Sequence, residues 1–302
     1  MNNSQRLWVV AKWTWFIFVV LFAIFYAYEN ASGIEDGIRR LDIALLFGAM
    51  LLIIAGKLGL VITMWAASRQ YSILLNWRET YCIYNLTQLA KYIPGSIWQF
   101  VGRIAMLKAH QAKSSSIRDA LIAEHAWVIG SALTISVLLG FLIHADLINS
   151  WLHWFHLKWY WSIISFFLVI FFSFAMAYFF GQARFFGRWL YGLRPPFLVL
   201  LSLILVWLAL GSALWLTLGP FAAVLPSLSY VVAAYCFAYV VGFLVPFAPA
   251  GIGVREALLI LALTSYVGAE FSFFLAAFNR ILYFFAEILL SIPCVFFRRS
   301  SW

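Results

Sequence analysis

Charge is what this sequence has least of. Charged residues fill 10% of its 302 positions and only 11 of them are acidic, where a soluble domain carries about 25% charged residues. That deficit excludes an ordinary water-facing surface and places the chain in a bilayer. Cysteine is scarce too. Cys82, Cys236 and Cys294 lie far apart in apolar stretches, without disulfide or metal spacing, and read as small packing residues. The alternation of apolar and polar positions that marks a membrane β-barrel is missing. The apolar runs are continuous instead, as in SIISFFLVIFFSFAMAYFF. No nucleotide-binding motif occurs, and His144, His153 and His156 have no carboxylate framework for a metal. No metal and no cofactor are expected.

What is present is a set of long hydrophobic segments in a chain that is 65% hydrophobic and 20% aromatic. Continuous spans are expected near 13–28, 43–67, 119–143, 160–180, 198–218 and 271–297, each near the roughly 20 residues that cross a hydrocarbon core. The first, behind Arg6 and Lys12, reads as an uncleaved anchor because no small-residue cleavage site follows it. Two further segments, 80–107 and 229–266, are apolar but broken by proline and glycine. If each broken segment enters the membrane and returns to the side it left, twelve cations fall on one side, among them Arg69, Lys108, Lys113, Arg118, Arg184 and Arg299. Only Arg39, Arg40 and Lys158 fall opposite, with Glu29, Glu35, Asp36, Asp42, Asp146 and Glu270. The positive-inside rule then puts both termini in the cytoplasm. It also accounts for the net charge of +9 without a nucleic-acid partner. The abundant Trp and Tyr read as interfacial belts.

The expected fold is an all-α polytopic membrane protein forming one transmembrane domain over 1–302, with about six full spans and two re-entrant broken segments. The order span, span, broken segment, span repeats in approximately 1–150 and 151–302. The two broken segments enter from opposite sides, which makes the halves an inverted repeat. YNLTQLAKYIPG and YCFAYVVGFLVP both put an aromatic-rich helix before a proline, and Pro94 to Arg103 is nine residues, as is Pro246 to Arg255. Interrupted helices at matching places in inverted repeats point to a transporter with a site near the midplane.

The breaks carry the candidate site. In KYIPGSIWQFVGR, Pro94 removes a helix donor and Gly95 permits a reversal. The freed backbone groups must be buried in protein or face a wet cavity. The limb that starts at Ser96 offers unpaired amides to an anion. Lys91 stands one turn before the tip, and Gln99 and Arg103 share a face after it. In PFAPAGIGVRE, Gly251 and Gly253 prevent regular helix, and Arg255 and Glu256 open the next one. An arginine beside free amides suits a phosphate or carboxylate, although Arg255 and Glu256 can equally form a local ion pair. Lys57, Glu124, Arg280 and Glu287 lie within apolar spans, where each costs on the order of 3 kcal/mol unless paired or wetted. Glu124 is as readily a shallow interfacial carboxylate as a site residue, Glu287 reads as a counter-ion, and Arg103 as a cytoplasmic anchor is the alternative to a site role.

KYIPGSIWQFVGR, ALIAEHAW and PFAPAGIGVREALL, in that order, resemble the lysylphosphatidylglycerol synthase transmembrane region, a flippase-like family, over nearly the whole chain. The resemblance implies inverted repeats with re-entrant helices and carries Pro94, Gly95, Arg103, Glu124, Pro249, Gly251, Gly253, Arg255 and Glu256 over as motif positions. Members best known for the activity move aminoacylated phosphatidylglycerol between leaflets, and standalone relatives resemble proteins of polyprenyl-linked glycan and envelope pathways. Bifunctional members carry a soluble aminoacyltransferase domain after the membrane region. Here FFRRSSW follows the last apolar run, so a lipid made by another enzyme is the expected substrate. Ser96 and Gln99 replace the family's glycine-rich, acidic character after the first break and suggest a subfamily with its own lipid.

The expected function is a flippase, not an enzyme, of the inner membrane, moving an anionic or polyprenyl-phosphate-linked (glyco)lipid between leaflets for envelope biogenesis. Its partners are expected to be that lipid and envelope-glycan or lipid-modifying enzymes. Two other classes stay open: a membrane transferase using a lipid-phosphate donor, with Glu35 and Asp36 as its acid or base, and a non-transporting partner of a membrane glycosyltransferase.

Overall fold

Every regular element among the described residues is helical. The computed structural model describes residues 31–92, 97–142, 195–245 and 248–297, with isolated positions between 14 and 28. The expected span 160–180, most of 13–28, and the loop holding His144, His153 and His156 lie outside the described residues, as do Pro94 and Gly95. Among the described residues four helices are long and apolar enough to cross a membrane. They are α2 (Ile43–Gln70), α5 (Ser114–Leu142), α6 (Phe197–Leu218) and α8 (Val254–Phe297). The shorter helices among the described residues are α1 (Ala31–Arg40), α3 (Trp77–Leu89), α4 (Trp98–Ala109) and α7 (Leu228–Leu244).

Local chemistry sets the boundaries. Asp42 starts α2 by accepting from the amides of Ala44 and Leu45 at 2.7 and 3.2 Å. Asn76 and Glu79 exchange bonds across the first turn of α3, at 2.9 and 2.8 Å, and form a capping box. The stretch GIEDGIRR, which holds Glu35 and Asp36, lies within helix α1. Glu35 pairs with Arg39 and Asp36 with Arg40 on its exposed side, and their i,i+4 spacing supports the helix. Glu270 is likewise helical. The expected connection between the second broken segment and the last span is a sharp kink in α8 at Gly268 (φ 78°, ψ 164°), a positive-φ backbone that glycine adopts without strain, and the limbs on either side fold back on each other, with Arg280 3.8 Å from Glu256.

The helices pack around α2, α6 and α7, with α2 and α6 the most extensively paired. On α6, Leu203, Trp207, Leu210 and Leu214 are buried while Leu201, Leu205 and Leu208 are exposed. This is the stripe of a helix with one face to protein and one to lipid. On α7 the burial is continuous from Tyr230 to Cys236, which makes it the enclosed centre of the bundle. Small residues bring the axes close. Gly211 faces Val232 across the α6–α7 contact, and a Cβ on it would lie 2.9 Å from the Val232 Cα.

Two hairpins stand within this frame. The helix α3 turns at Ala90–Tyr92 and returns as α4, and His110 comes back to 3.9 Å from Glu79 at the other end. The helix α7 turns at Pro249–Gly251 and returns as the first limb of α8, where Tyr230 donates to Ala262 O at 2.9 Å and packs on Tyr266. The two turns touch each other. The returning limb of the first hairpin starts at Trp98, after an N-cap Ile97 that gives no side-chain bond, two residues later than expected. Cys82 and Cys294, far apart in sequence, are brought near each other where α3 lies along α8. Tyr81 donates to Leu290 O at 2.7 Å in the same seam.

The Gly211 contact predicts a sign difference between two glycine substitutions. Gly211→Ala places a methyl against backbone, which no rotamer change relieves, and is expected to destabilise the protein by about 1–3 kcal/mol. Gly130→Ala, on α5 with nothing within 4 Å of the added carbon, is expected to be neutral or stabilising by up to about 1 kcal/mol. Thermal unfolding of both variants in detergent checks the pair. Equal loss in both would mean that close α6–α7 approach does not hold the bundle.

Candidate anion-binding cavity

The second break is built on positive φ. Ala250 (φ 52°), Gly251 (φ 72°) and Gly253 (φ 87°) turn the chain from α7 into α8. Gly251 is required twice over, because a Cβ there would also lie 2.9 Å from the Gly242 carbonyl oxygen. Gly253 donates its N–H to Glu256 Oε2 at 2.7 Å and accepts from Ala257 N at 3.1 Å, which caps α8. Arg280, on the second limb of α8 beyond the Gly268 kink, donates to Ala250 O at 2.9 Å, with Glu256 Oε1 3.8 Å from its Nε. An interior arginine thus satisfies a carbonyl freed by the break, as a chain broken inside hydrocarbon needs. The Arg255–Glu256 ion pair allowed by sequence is not formed, because Glu256 is turned to Gly253 and Arg280.

Arg255 is consequently left for the cavity. It is 6% exposed and has no carboxylate within 4 Å among the described residues. Its guanidinium lies 4.4 Å over the Tyr235 ring and 5.5 and 5.7 Å from Tyr283 and Tyr239. Aromatic faces stabilise a desolvated cation by about 2 kcal/mol without neutralising it.

The first break is organised by ion pairs. Arg103, 2% exposed, donates from Nη1 to both oxygens of Glu124 at 2.7 and 2.8 Å and lies 4.9 Å over Tyr84. Both side chains are committed to this buried pair. Lys91 from the turn and Lys57 from α2 both donate to Oε1 of Glu287 on α8. The Glu287 Oε2 has no partner among the described residues. Lys57 also lies 3.7 Å over Tyr283, so one tyrosine touches three cations: Lys57, Lys91 and Arg255.

These groups surround a cavity of about 390 Å³ where the two turns meet. Lys91, Arg255 and Arg280 line it together with Glu124, Gln88 and Gln99. Gly251 forms part of its wall, while Lys57, Arg103, Glu256 and Glu287 stand behind the lining as partners. Among the described residues five cations around it face three carboxylates, an excess of positive charge in a place that water does not readily screen. The tyrosines Tyr84, Tyr235, Tyr239 and Tyr283, with Gln88, were not singled out from sequence. For Tyr84, Tyr235 and Tyr239 the signal was the aromatic-rich helix before each proline, which the repeat comparison noticed and the site reading did not use. The same contact occurs in both halves: Tyr84 before the first break stacks on Arg103 after it, and Tyr235 before the second stacks on Arg255 after it.

The shared carboxylate predicts an order of stabilities. Glu287→Ala leaves two buried lysines without a counter-charge and is expected to cost about 3–5 kcal/mol. Lys57→Met leaves the Lys91–Glu287 pair in place and costs less. The double variant Lys57→Met with Glu287→Ala recovers part of the loss. Unfolding midpoints in detergent check the order. A Glu287→Ala variant as stable as the parent would remove this carboxylate from the frame.

No family model matches the chain, and no curated protein sequence matches it.

Proposed function

We propose that this chain is a flippase that moves a lipid with an anionic, phosphate-bearing headgroup across the membrane, polyprenyl-phosphate-linked glycolipids included. The observation that carries the reading is the cavity at the meeting of the two turns. Its lining includes an arginine held on tyrosine rings with no carboxylate partner among the described residues. A buried cation left without a counter-ion is costly, and an anion entering the cavity supplies one. The planar guanidinium matches a phosphate in bidentate fashion, while Gln88, Gln99 and Lys91 add donors.

The hairpins support a re-entrant reading. At 1.5 Å per residue, α3 and α4 are each about 20 Å long, short of a hydrocarbon core about 30 Å thick, and their far ends meet at Glu79 and His110. Such a segment returns to the side it left. That keeps Arg69, Arg78, Lys108, Lys113 and Arg118 together, on the cytoplasmic side by the positive-inside rule. The repeated Tyr–Arg stack supports an inverted repeat of 1–150 and 151–302, and rocking of one repeat on the other would expose the cavity to each side in turn. Both termini are then cytoplasmic, six spans are completed by 13–28 and 160–180, and the inner membrane is the proposed location. This agrees with the resemblance to the lysylphosphatidylglycerol synthase transmembrane region. Glu124 and Glu287 are tied up by Arg103, Lys57 and Lys91, which makes them counter-ions in this reading.

Leaflet exchange in vesicles tests the function. With labelled phosphatidylglycerol, Arg255→Ala is expected to lose one charge-assisted contact worth about 1.5–3 kcal/mol, roughly tenfold to a hundredfold in affinity, and with it transport. Arg255→Lys is expected to restore it only in part, because an ammonium lacks the bidentate fork. Full activity of Arg255→Ala would sink the reading. Topology has its own measurement: Ser115→Cys is expected to react with a membrane-impermeant thiol reagent only from the cytoplasmic side, and labelling from outside would refute the re-entrant arrangement.

A further inference from the structure

A second cavity, about 490 Å³, lies beside the first and differs from it in chemistry. Its floor is apolar. The helix α4 contributes Phe100 and Ile104, and α5 contributes Ile117 and Leu121. The four-residue spacing within each pair keeps it on one face of its helix. One end of the groove is basic, where Lys108 and Arg118 stand exposed, Arg118 also pairing with Asp119 at 2.8 Å. The other end abuts the anion cavity. Phe100, His125 and Phe243 line both spaces, with ring centroids 5.0 and 5.7 Å apart in sequence around the partition. The His125 ring is fixed by donating Nδ1–H to Leu121 O at 2.8 Å. Along α4 the distance from Phe100 to Lys108 is eight residues, about 12 Å, close to the depth of one leaflet of a core about 30 Å thick.

We propose that this groove is a second lipid site, which holds one hydrocarbon chain of an anionic lipid whose phosphate rests at Lys108 and Arg118. The match of apolar length to leaflet depth and the cations at the rim choose the occupant: a hydrocarbon chain ending in a phosphate. Its shared wall with the cavity makes it the place where a lipid waits before its headgroup passes the aromatic partition. The site rests on the flippase reading only for that last step; occupancy of the groove does not require transport.

Photocrosslinking reads occupancy directly. A benzophenone amino acid is placed at Ile104, in the groove, and separately at Leu205, exposed on α6, and the purified protein is reconstituted in phosphatidylcholine vesicles. One arm carries a minor fraction of phosphatidylglycerol and a second arm a polyprenyl phosphate, and adducts are identified by mass. Two interfacial cations each favour an anionic lipid roughly fivefold. At Ile104 the anionic lipid is therefore expected to exceed its bulk fraction by about tenfold or more, and Lys108→Ala with Arg118→Ala should abolish the enrichment. At Leu205 adducts should follow the bulk composition. The arm that shows enrichment tells the phospholipid from the polyprenyl phosphate. Adducts at Ile104 that follow bulk composition, or none while Leu205 crosslinks, overturn the groove. Loss of enrichment with Arg255-dependent leaflet exchange intact would overturn the groove and keep the flippase. Enrichment without any leaflet exchange would overturn the flippase and keep the groove.

Discussion

A single carboxylate ties the interior of this protein together. Glu287 on α8 accepts from Lys57 on α2 and from Lys91 at the first turn, and all three are buried. In hydrocarbon none of these charges is tolerable alone, so each fixes the place of the others. The pairing sets the depth of the turn Ala90–Tyr92 against α8. That turn in turn carries the hairpin and one wall of the cavity. The Tyr283 ring, one turn before Glu287 on the same helix, spreads the arrangement to Arg255.

The two helix breaks follow the same logic of compensation. A broken helix frees amides and carbonyls that lipid cannot satisfy. At the second break Glu256 takes the Gly253 amide and Arg280 donates to the Ala250 carbonyl. Using Glu256 in this way removes the nearest carboxylate from Arg255. The structural repair of the backbone and a cavity arginine without a carboxylate partner among the described residues are therefore two results of one side chain's orientation. The Arg103–Glu124 pair in the other half is neutral by contrast, so the two halves share a Tyr–Arg stack but differ in the charge they present.

How much of this was legible in the sequence depended on the range of the interaction. The breaks, their cations, and the withdrawal of Lys57 and Glu287 into the protein interior follow from residue type and position within apolar runs, since a charge in a span is almost always paired or functional. The choice between a local Arg255–Glu256 pair and a free Arg255 was not legible, because adjacency in sequence says nothing of side-chain direction. The connection expected between 229–266 and 271–297 was legible from the spacing of the apolar runs; the structure places it at Gly268, where α8 kinks and its two limbs fold back far enough for Arg280 to meet Glu256. The nearness of Cys82 to Cys294 and the three-cation role of Tyr283 had no local signal at all.

The sequence by itself determined that this is an apolar helical chain with two broken segments and cations placed around the breaks, because hydropathy and the effects of proline and glycine act over a few residues. Only the tertiary structure decided which carboxylate neutralises which cation, and so which arginine is left over. That choice depends on helices more than two hundred residues apart, as for Lys57 and Glu287, meeting within the few ångströms over which an ion pair in a low-dielectric interior is made.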